Sequence, residues 1–367
     1  MVKICFFNRT SIHYRKNIYM LMDKELPCDF YFGDSRPGKI APLDVAVLSN
    51  YKGKFHNVTF GPFYWQRGAL KLLKSDYTDI ITPGDIYCIS TWLMIFLSSF
   101  YNKNLYFWAH GAYGDESRLR AWLQRFRYTH IKGAFLYGNY AKDILVKYGV
   151  PSNKLHVVYN SLDYDEQAPM RSKMKPSEIY KSHFGNVEKN IVFIGRLTKV
   201  KKLDQIITAL TVLKKQGCNY NLTFIGDGTE RLQLEKKAAE CGLVEKVWFY
   251  GPCYDESKIS EFLYNADVCV SPGNVGLTAM HSMTFGTPVI THSDFSQQMP
   301  EVEAIEEGKT GTFFERDNTE DLAKAIKRWL SSDYDRESIR RACYKVMDEK
   351  YNPHIQVETM KKAIYNK

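Results

Sequence analysis

The sequence predicts an α/β protein built as two Rossmann-like domains facing across a cleft. Three observations lead there. Strand-like apolar runs alternate with helix-like stretches along the 367 residues. The strand-like runs are apolar at nearly every position, as in a parallel sheet covered on both faces. One polar stretch, residues 167–189, has two prolines and no sustained apolar face. It divides the chain into parts each long enough for its own core.

Taken in order, residues 2–7, 28–32, 45–48, 86–89, 105–109, 134–137 and 155–159 read as strands of the first half. Residues 86–101, IYCISTWLMIFLSSFY, form the longest uncharged apolar run. It falls short of the roughly 20 residues a membrane-spanning helix needs and reads as a buried helix. In the second half, residues 190–195 (NIVFIG) read as a strand. Residues 202–216 read as a helix with Leu203, Ile206, Ile207, Leu210 and Leu213 on one face. Strands at 221–226, 247–250 and 266–271 alternate with helices at 230–241 and 257–265. Then SPGNVGLTAMHSMTFGTPVI, residues 271–290, reads as loop, helix and stop, entering a strand at 287–291. The predicted boundaries are 1–167, a linker at 168–189, a second domain at 190–345, and a C-terminal segment at 346–367.

Composition narrows the function. Hydrophobic residues at 44% and charged residues at 25% exclude disorder. MVKICFF reads as a first core strand and not as a signal peptide. The eight cysteines include no CxxC pair and several sit in apolar runs, the pattern of reduced, packed thiols in a cytoplasmic protein. Residues 1–186 hold 25 Lys+Arg against 15 Asp+Glu, so the whole net charge of +9 lies in the first half. Such a field suits nucleic acid, an anionic membrane surface or a phosphorylated substrate. No nucleic-acid recognition motif is present.

Several motifs are rejected. No GxGxxG follows the first strand, which argues against a dinucleotide dehydrogenase. Residues 33–39 approach a P-loop, but Ile40 stands where Ser or Thr belongs and Pro42 spoils the following helix. The acidic triplets 163–165 and 333–335 are chance matches, so no metal site is assigned.

The second half offers three strand ends at one sheet edge, where open α/β sheets bind ligands. The first carries Gly195 and Arg196, with Lys201 five residues on. A planar fork and a point charge suit a diphosphate. The second carries Gly226, Asp227 and Gly228, a tight turn. The third carries Gly273, Asn274, Val275 and Gly276, then Leu277 and Thr278 at a helix start, where glycines and first-turn amides suit an anion or a sugar hydroxyl. His281 lies farther along that helix.

At this point FIGRLTKVKKLDQII, FIGDGTERLQLEKKA, VWFYGPCYDESKISEFLYNADVCVSPG, GLTAMHSMTFGTPVITHSD, MPE and EEGKTGTFF resemble the retaining glycosyltransferases of family 4, across about residues 190–330. The first half resembles them more loosely, through YFWAHG and VVYNSLD. The resemblance implies a glycosyltransferase-B fold, a nucleotide-sugar donor in the second domain, an acceptor in the first, and a last helix near residues 352–366 crossing back. It assigns Arg196 and Lys201 to the donor diphosphate, with no metal or other cofactor. It places His110 near the transferred sugar, as a positioning residue. The family's usual Glu, seven residues, Glu is here Gly273 and His281. His281 can still hydrogen-bond a ribose. With no side chain at Gly273, the amides of Asn274 to Leu277 are left to hold sugar and phosphate. Glu301, in MPE, is expected to be structural.

The expected activity is thus transfer with retention from a UDP- or GDP-sugar to a glycan or lipid-diphosphate-linked acceptor, as in bacterial surface polysaccharide assembly. Two rivals stand beside it: a binding protein that has lost catalysis with its two glutamates, and a nucleotide-sugar epimerase, for which no convincing acid–base set is visible. The stretch with Arg118, Arg120, Arg125 and Arg127 flanking Leu119, Trp122, Leu123 and Phe126 has two readings. It is a membrane-interface helix, which would make the protein peripheral at the inner membrane face, or a surface helix with its apolar side in the core.

Overall fold

The computed structural model describes residues 2–34 and 42–365. In chain order the elements are β1 (Ile4–Asn8), α1 (Lys16–Glu25), β2 (Cys28–Gly33), β3 (Tyr51–Phe60), β4 (Phe63–Arg67), β5 (Asp79–Thr82), α2 (Ile89–Leu97), β6 (Asn104–Ala109), α3 (Arg118–Thr129), β7 (Gly133–Leu136), α4 (Asn139–Lys147) and β8 (Leu155–Val157). There follow α5 (Tyr164–Arg171), α6 (Ile179–Phe184), β9 (Asn190–Ile194), α7 (Asp204–Lys215), β10 (Asn221–Ile225), α8 (Arg231–Glu240), β11 (Val247–Gly251), α9 (Glu256–Asn265), β12 (Val268–Val270), α10 (Leu277–Thr284), β13 (Val289–His292), β14 (Gly311–Phe314), α11 (Thr319–Ser331), α12 (Arg336–Glu349) and α13 (Pro353–Tyr365).

The chain forms two compact units. The first is Met1–Asp163 with Lys350–Lys367, the second Tyr164–Glu349. In the first, eight strands run in the order β4-β3-β2-β1-β5-β6-β7-β8, parallel except for the β3–β4 hairpin. Side chains alternate across β1, so Phe6 joins a layer with Tyr19, Trp108, Val357 and Met360 while Phe7 joins one with Met94, Phe107 and Leu145. Both faces are thereby covered, which is why β1 and β6 are apolar but for an asparagine at one end, Asn8 and Asn104. In the second unit six parallel strands run β11-β10-β9-β12-β13-β14. β10 is buried at every position and β9 at all but its first.

The fold class is as the sequence predicts; strands β3, β4 and β5 are not among the stretches it predicts, and four other details differ. Residues 45–48 form a 3-10 turn over Val45–Val47, because the Asp44 side chain accepts from the Ala46 amide and caps it. Residues 86–89 are not a strand. They form the turn into α2, with Cys88 N donating to the Asp85 carbonyl. The helix after it is not wholly buried, since Leu93 and Phe96 face outward. The predicted linker at 168–189 holds half of α5 and all of α6, both in the second unit: Arg171 donates to the Thr284 carbonyl at 2.8 Å and Tyr180 to the Phe262 carbonyl at 2.8 Å. The rejected P-loop match at 33–39 lies mostly outside the described residues, as does Asn366 at the end of the expected last helix.

Candidate functional site

In a sheet ordered β11-β10-β9-β12-β13-β14 the connections reverse direction between β9 and β12. A crevice opens beyond the carboxyl ends of those two strands, and ligands of doubly wound sheets bind there. The loop after β9 carries Gly195, Arg196 and Lys201. The loop after β12 carries Gly273 to Gly276 and opens α10. The two loops are stitched together. Gly273 N donates to the Lys201 carbonyl at 3.0 Å, and Lys201 Nζ donates back to the carbonyls of Asn274 at 2.6 Å and Val275 at 3.3 Å.

This packing explains the glycine at 273. A Cβ built there would lie 2.0 Å from the Val200 carbonyl oxygen, far inside contact distance. The same holds for Gly226, whose φ is +140° and whose Cβ would fall 1.9 Å from the Gly195 carbonyl oxygen. Only glycine lets the loops after β9 and β10 approach so closely. Leu197 N completes that seam by donating to the Asp227 carbonyl at 3.0 Å, while the Asp227 carboxylate accepts from Gly228 N at 2.8 Å.

Around this seam the charges are uneven. Arg196 is exposed. Lys201 is largely enclosed, and burial together with the nearby Arg196 pulls its pKa down to about 8, against the opposing pull of Glu301. Glu301 itself is buried, in the turn Pro300–Ala304.

The structure brings Gly195, Arg196, Lys201, Gly226, Asp227, Gly228, Asn274, Gly276 and Leu277 to one edge of the second unit. Two others, Val275 and Thr278, take part in hydrogen bonds of the fold itself. The Val275 N–H is engaged, donating to Gln298 Oε1 at 2.8 Å. Gln298 in turn donates to Thr291 Oγ1 at 2.9 Å and the His292 carbonyl at 3.1 Å. The Thr278 hydroxyl donates to the Ile194 carbonyl at 2.8 Å, pinning α10 to the end of β9. Both residues are buried and build the loop's shape.

His281 is a partly enclosed side chain on α10. Its Nε2 lies 3.8 Å from Glu256 Oε1, and Glu256 also accepts from Gln167 Nε2 at 2.6 Å. Burial lowers the His281 pKa and Glu256 opposes this. Sequence reasoning missed Glu256 and Gln298. The available signal for Glu256 was Asp255, which caps α9 by accepting from the Ser257 and Lys258 amides and so fixes its neighbour in the first turn.

His110 belongs to the first unit, just beyond the end of β6. Its ring lies 4.8 Å from that of Tyr137, and its buried Nδ1 has no hydrogen-bond partner among the described residues. Burial, and then Arg15, lowers its pKa to about 4, so the ring is neutral. Arg15 donates to the Tyr137 hydroxyl and stacks 5.0 Å from the Trp108 ring. Together with Arg120, Arg127 and Glu116 these residues line a cavity of ≈ 410 Å³.

Residues 175–346 match the family described as glycosyl transferases group 1. An uncharacterized 41.2 kDa protein in the cps region of Klebsiella pneumoniae is 30% identical over 186 residues, 49% of this chain and 46% of that protein. The chain thus spans about half the length of that relative. Two solved structures share the fold. Anabaena HepE in complex with UDP has a TM-score of 0.72 at 14% identity, over 98% of this chain and 99% of its own. The lipopolysaccharide outer core galactosyltransferase WaaB has a TM-score of 0.72 at 16% identity, over 100% and 99%. Residues 175–346 thus match the glycosyl transferases group 1 family, and the chain shares its α/β fold of two Rossmann-like, parallel-sheet units with these two structures.

Proposed function

We propose that the protein is a retaining glycosyltransferase. It moves a sugar from a UDP- or GDP-linked donor to a glycan or lipid-diphosphate-linked acceptor in bacterial surface polysaccharide synthesis. One observation carries the reading: Arg196, Lys201 and the start of α10 converge where β9 and β12 part. In that role Arg196 and Lys201 offset the charge that builds on the departing diphosphate, and the amides at the α10 N-terminus add their dipoles. The two cations take the place of a metal ion. His110, neutral and enclosed, positions the substrate. The acceptor hydroxyl attacks from the face the phosphate leaves. A cytoplasmic enzyme at the inner membrane face fits a lipid-borne acceptor. Among the described residues no helix is long and apolar enough to cross a membrane.

A second reading, a sugar- or nucleotide-binding protein without catalysis, is favoured by Gly273, whose packing leaves no room for the family's carboxylate. Calorimetric titration with UDP, GDP and their sugar conjugates, with EDTA present, separates the cases. One nucleotide is expected to bind without metal, and Arg196→Ala to weaken it by roughly tenfold or more, the worth of a charge-assisted contact. Binding without turnover of any conjugate would favour the second reading. No binding at all would remove the donor site.

A further inference from the structure

Helix α3 buries Gln124, Arg127 and Tyr128, and Arg127 donates to Gln124 Oε1 at 2.8 Å and to the Gly84 carbonyl. Phe126 also packs against the core, while Leu119 is 68% exposed and Trp122 59%. The apolar side of the helix is thus only partly covered. On the neighbouring α2, which buries Met94 and Ile95, Phe96 is 53% exposed, and Phe100, in the turn that follows, 83%. The rings join into one surface. Phe126 lies 6.0 Å from Trp122, 5.5 Å from Phe96 and 4.2 Å from His130, centroid to centroid.

At His130 this aromatic surface meets a cavity of ≈ 800 Å³ at the amino ends of β6, β7 and β8. Lys103, Lys132, Lys154, Lys362, His130 and His156 line it, and among the described residues no Asp or Glu does. Lys103 Nζ donates to the carbonyls of Ser75 at 2.7 Å and Tyr77 at 2.6 Å. Lys154 Nζ donates to those of Thr129 at 2.6 Å and Ile131 at 2.8 Å. These acceptors are neutral, and each ammonium keeps a third N–H. Two carboxylates stand at its edge, each held by a lining residue: Glu358 pairs with Lys362, and Asp79 accepts from Asn104 and from Thr78. From Ile86 to Lys142 the chain has seven Lys+Arg and only two acids, Asp115 and Glu116. Glu116 is held by the Tyr113 and Gly114 amides and the Tyr148 hydroxyl.

We infer that this face of the first unit docks on an anionic phospholipid surface. Phe96, Phe100, Leu119 and Trp122 enter the interface, and the cavity around Lys103, Lys132 and Lys154 takes a lipid phosphate. Exposed aromatics beside a cluster in which Lys103, Lys132 and Lys154 outnumber the acids are complementary to such a surface, apolar below and negative at the headgroups. The inference rests on the reading of the protein as a transferase for a lipid-borne acceptor, and it names the surface that acceptor is met on.

The test is flotation of the full chain with phosphatidylcholine vesicles, with and without phosphatidylglycerol. Binding is expected only to the anionic vesicles and to fall with salt. Phe100→Ser with Trp122→Ser, and separately His130→Ser with Lys132→Glu, should each lower vesicle partition roughly tenfold or more. All four side chains are exposed, so circular dichroism and nucleotide titration should be unchanged. The inference is overturned if neither vesicle binds, if both bind equally, or if neither variant pair matters. Inorganic phosphate bound in the cavity without vesicle binding would also overturn it, as would a dimer in gel filtration that Trp122→Ser dissolves. Loss of nucleotide binding with vesicle binding intact would sink the transferase reading and leave the docking face standing.

Discussion

His281 Nε2 lies 3.8 Å from Glu256 Oε1, so the histidine of α10 faces a carboxylate delivered from the start of α9. A second carboxylate at position 281 should therefore do harm. His281→Glu would set two half-enclosed carboxylates against each other and is expected to cost about 1–3 kcal/mol. Adding Glu256→Gln should return most of that loss. Denaturant melts of the two single variants and the double form a cycle that reads the coupling directly. Strict additivity would show that the pair does not interact.

Lys201 has a split task. Its ammonium ties the Asn274 and Val275 carbonyls and faces the proposed diphosphate. With its pKa at about 8 in the fold and 10.5 as the ordinary value, the unfolded chain holds the extra proton between those limits. This group's contribution to stability should therefore rise with pH across that window. Diphosphate affinity should do the opposite, falling by up to about tenfold per pH unit above pH 8 as the charge is lost. Titration calorimetry across that range checks it, and Lys201→Met should abolish the step. A flat profile in the wild type would show that the anion does not use this charge.

His110 and His292 should make the fold acid-sensitive. Burial, aided by Arg15 and Arg316 respectively, lowers both from 6.5 to about 4. In the unfolded chain each takes up a proton near pH 6.5 that the folded chain refuses. Stability should therefore be full above that pH and fall steadily towards pH 4. His110→Asn should remove part of this slope in urea midpoints measured against pH. An unchanged slope would mean that His110 is solvated in solution.

Gly226→Ala should be among the most damaging single-methyl additions in the second unit. The new Cβ would meet a backbone oxygen that cannot step aside, at a φ of +140° that L-residues rarely adopt. A loss of about 2 kcal/mol or more is expected from overpacking and backbone strain together, seen as a lower melting temperature. Gly217→Ala also has a positive φ, but a Cβ there would meet nothing within 4 Å, so it provides the control for strain without collision.

The sheet of the second unit is legible in the sequence because its strands are buried on both faces and hence apolar in unbroken runs. β9, β10 and β12 are found this way within one or two residues. The same rule misses β3 and β4. In YKGKFHNVTF exposed and enclosed positions mix, and the hairpin partner FYWQR buries only Tyr64 and Gln66. It also misreads α5, which is tied down by polar side chains: Gln167 to Glu256 and Arg171 to the Thr284 carbonyl. At the candidate site the glycines and cations are visible as spaced residues along the chain. Glu256 and Gln298 are not, because they matter only through partners, His281 and the Val275 amide, that the fold brings to them. The partial exposure of the apolar side of α3 is hidden for a related reason. Periodicity finds its two sides but cannot tell which one the first unit covers.

The glycine at 273 also bears on how this protein came about. A glutamate restored there by one substitution would find its Cβ 2.0 Å from the Val200 oxygen and 2.8 Å from two backbone atoms of Lys201. Any side chain at 273 requires these two loops farther apart. A lineage with the loops closed as here must first reopen a seam of three backbone-anchored hydrogen bonds before a glutamate fits. Relatives sharing the glycine should therefore form a single branch on which the glutamate never reappears.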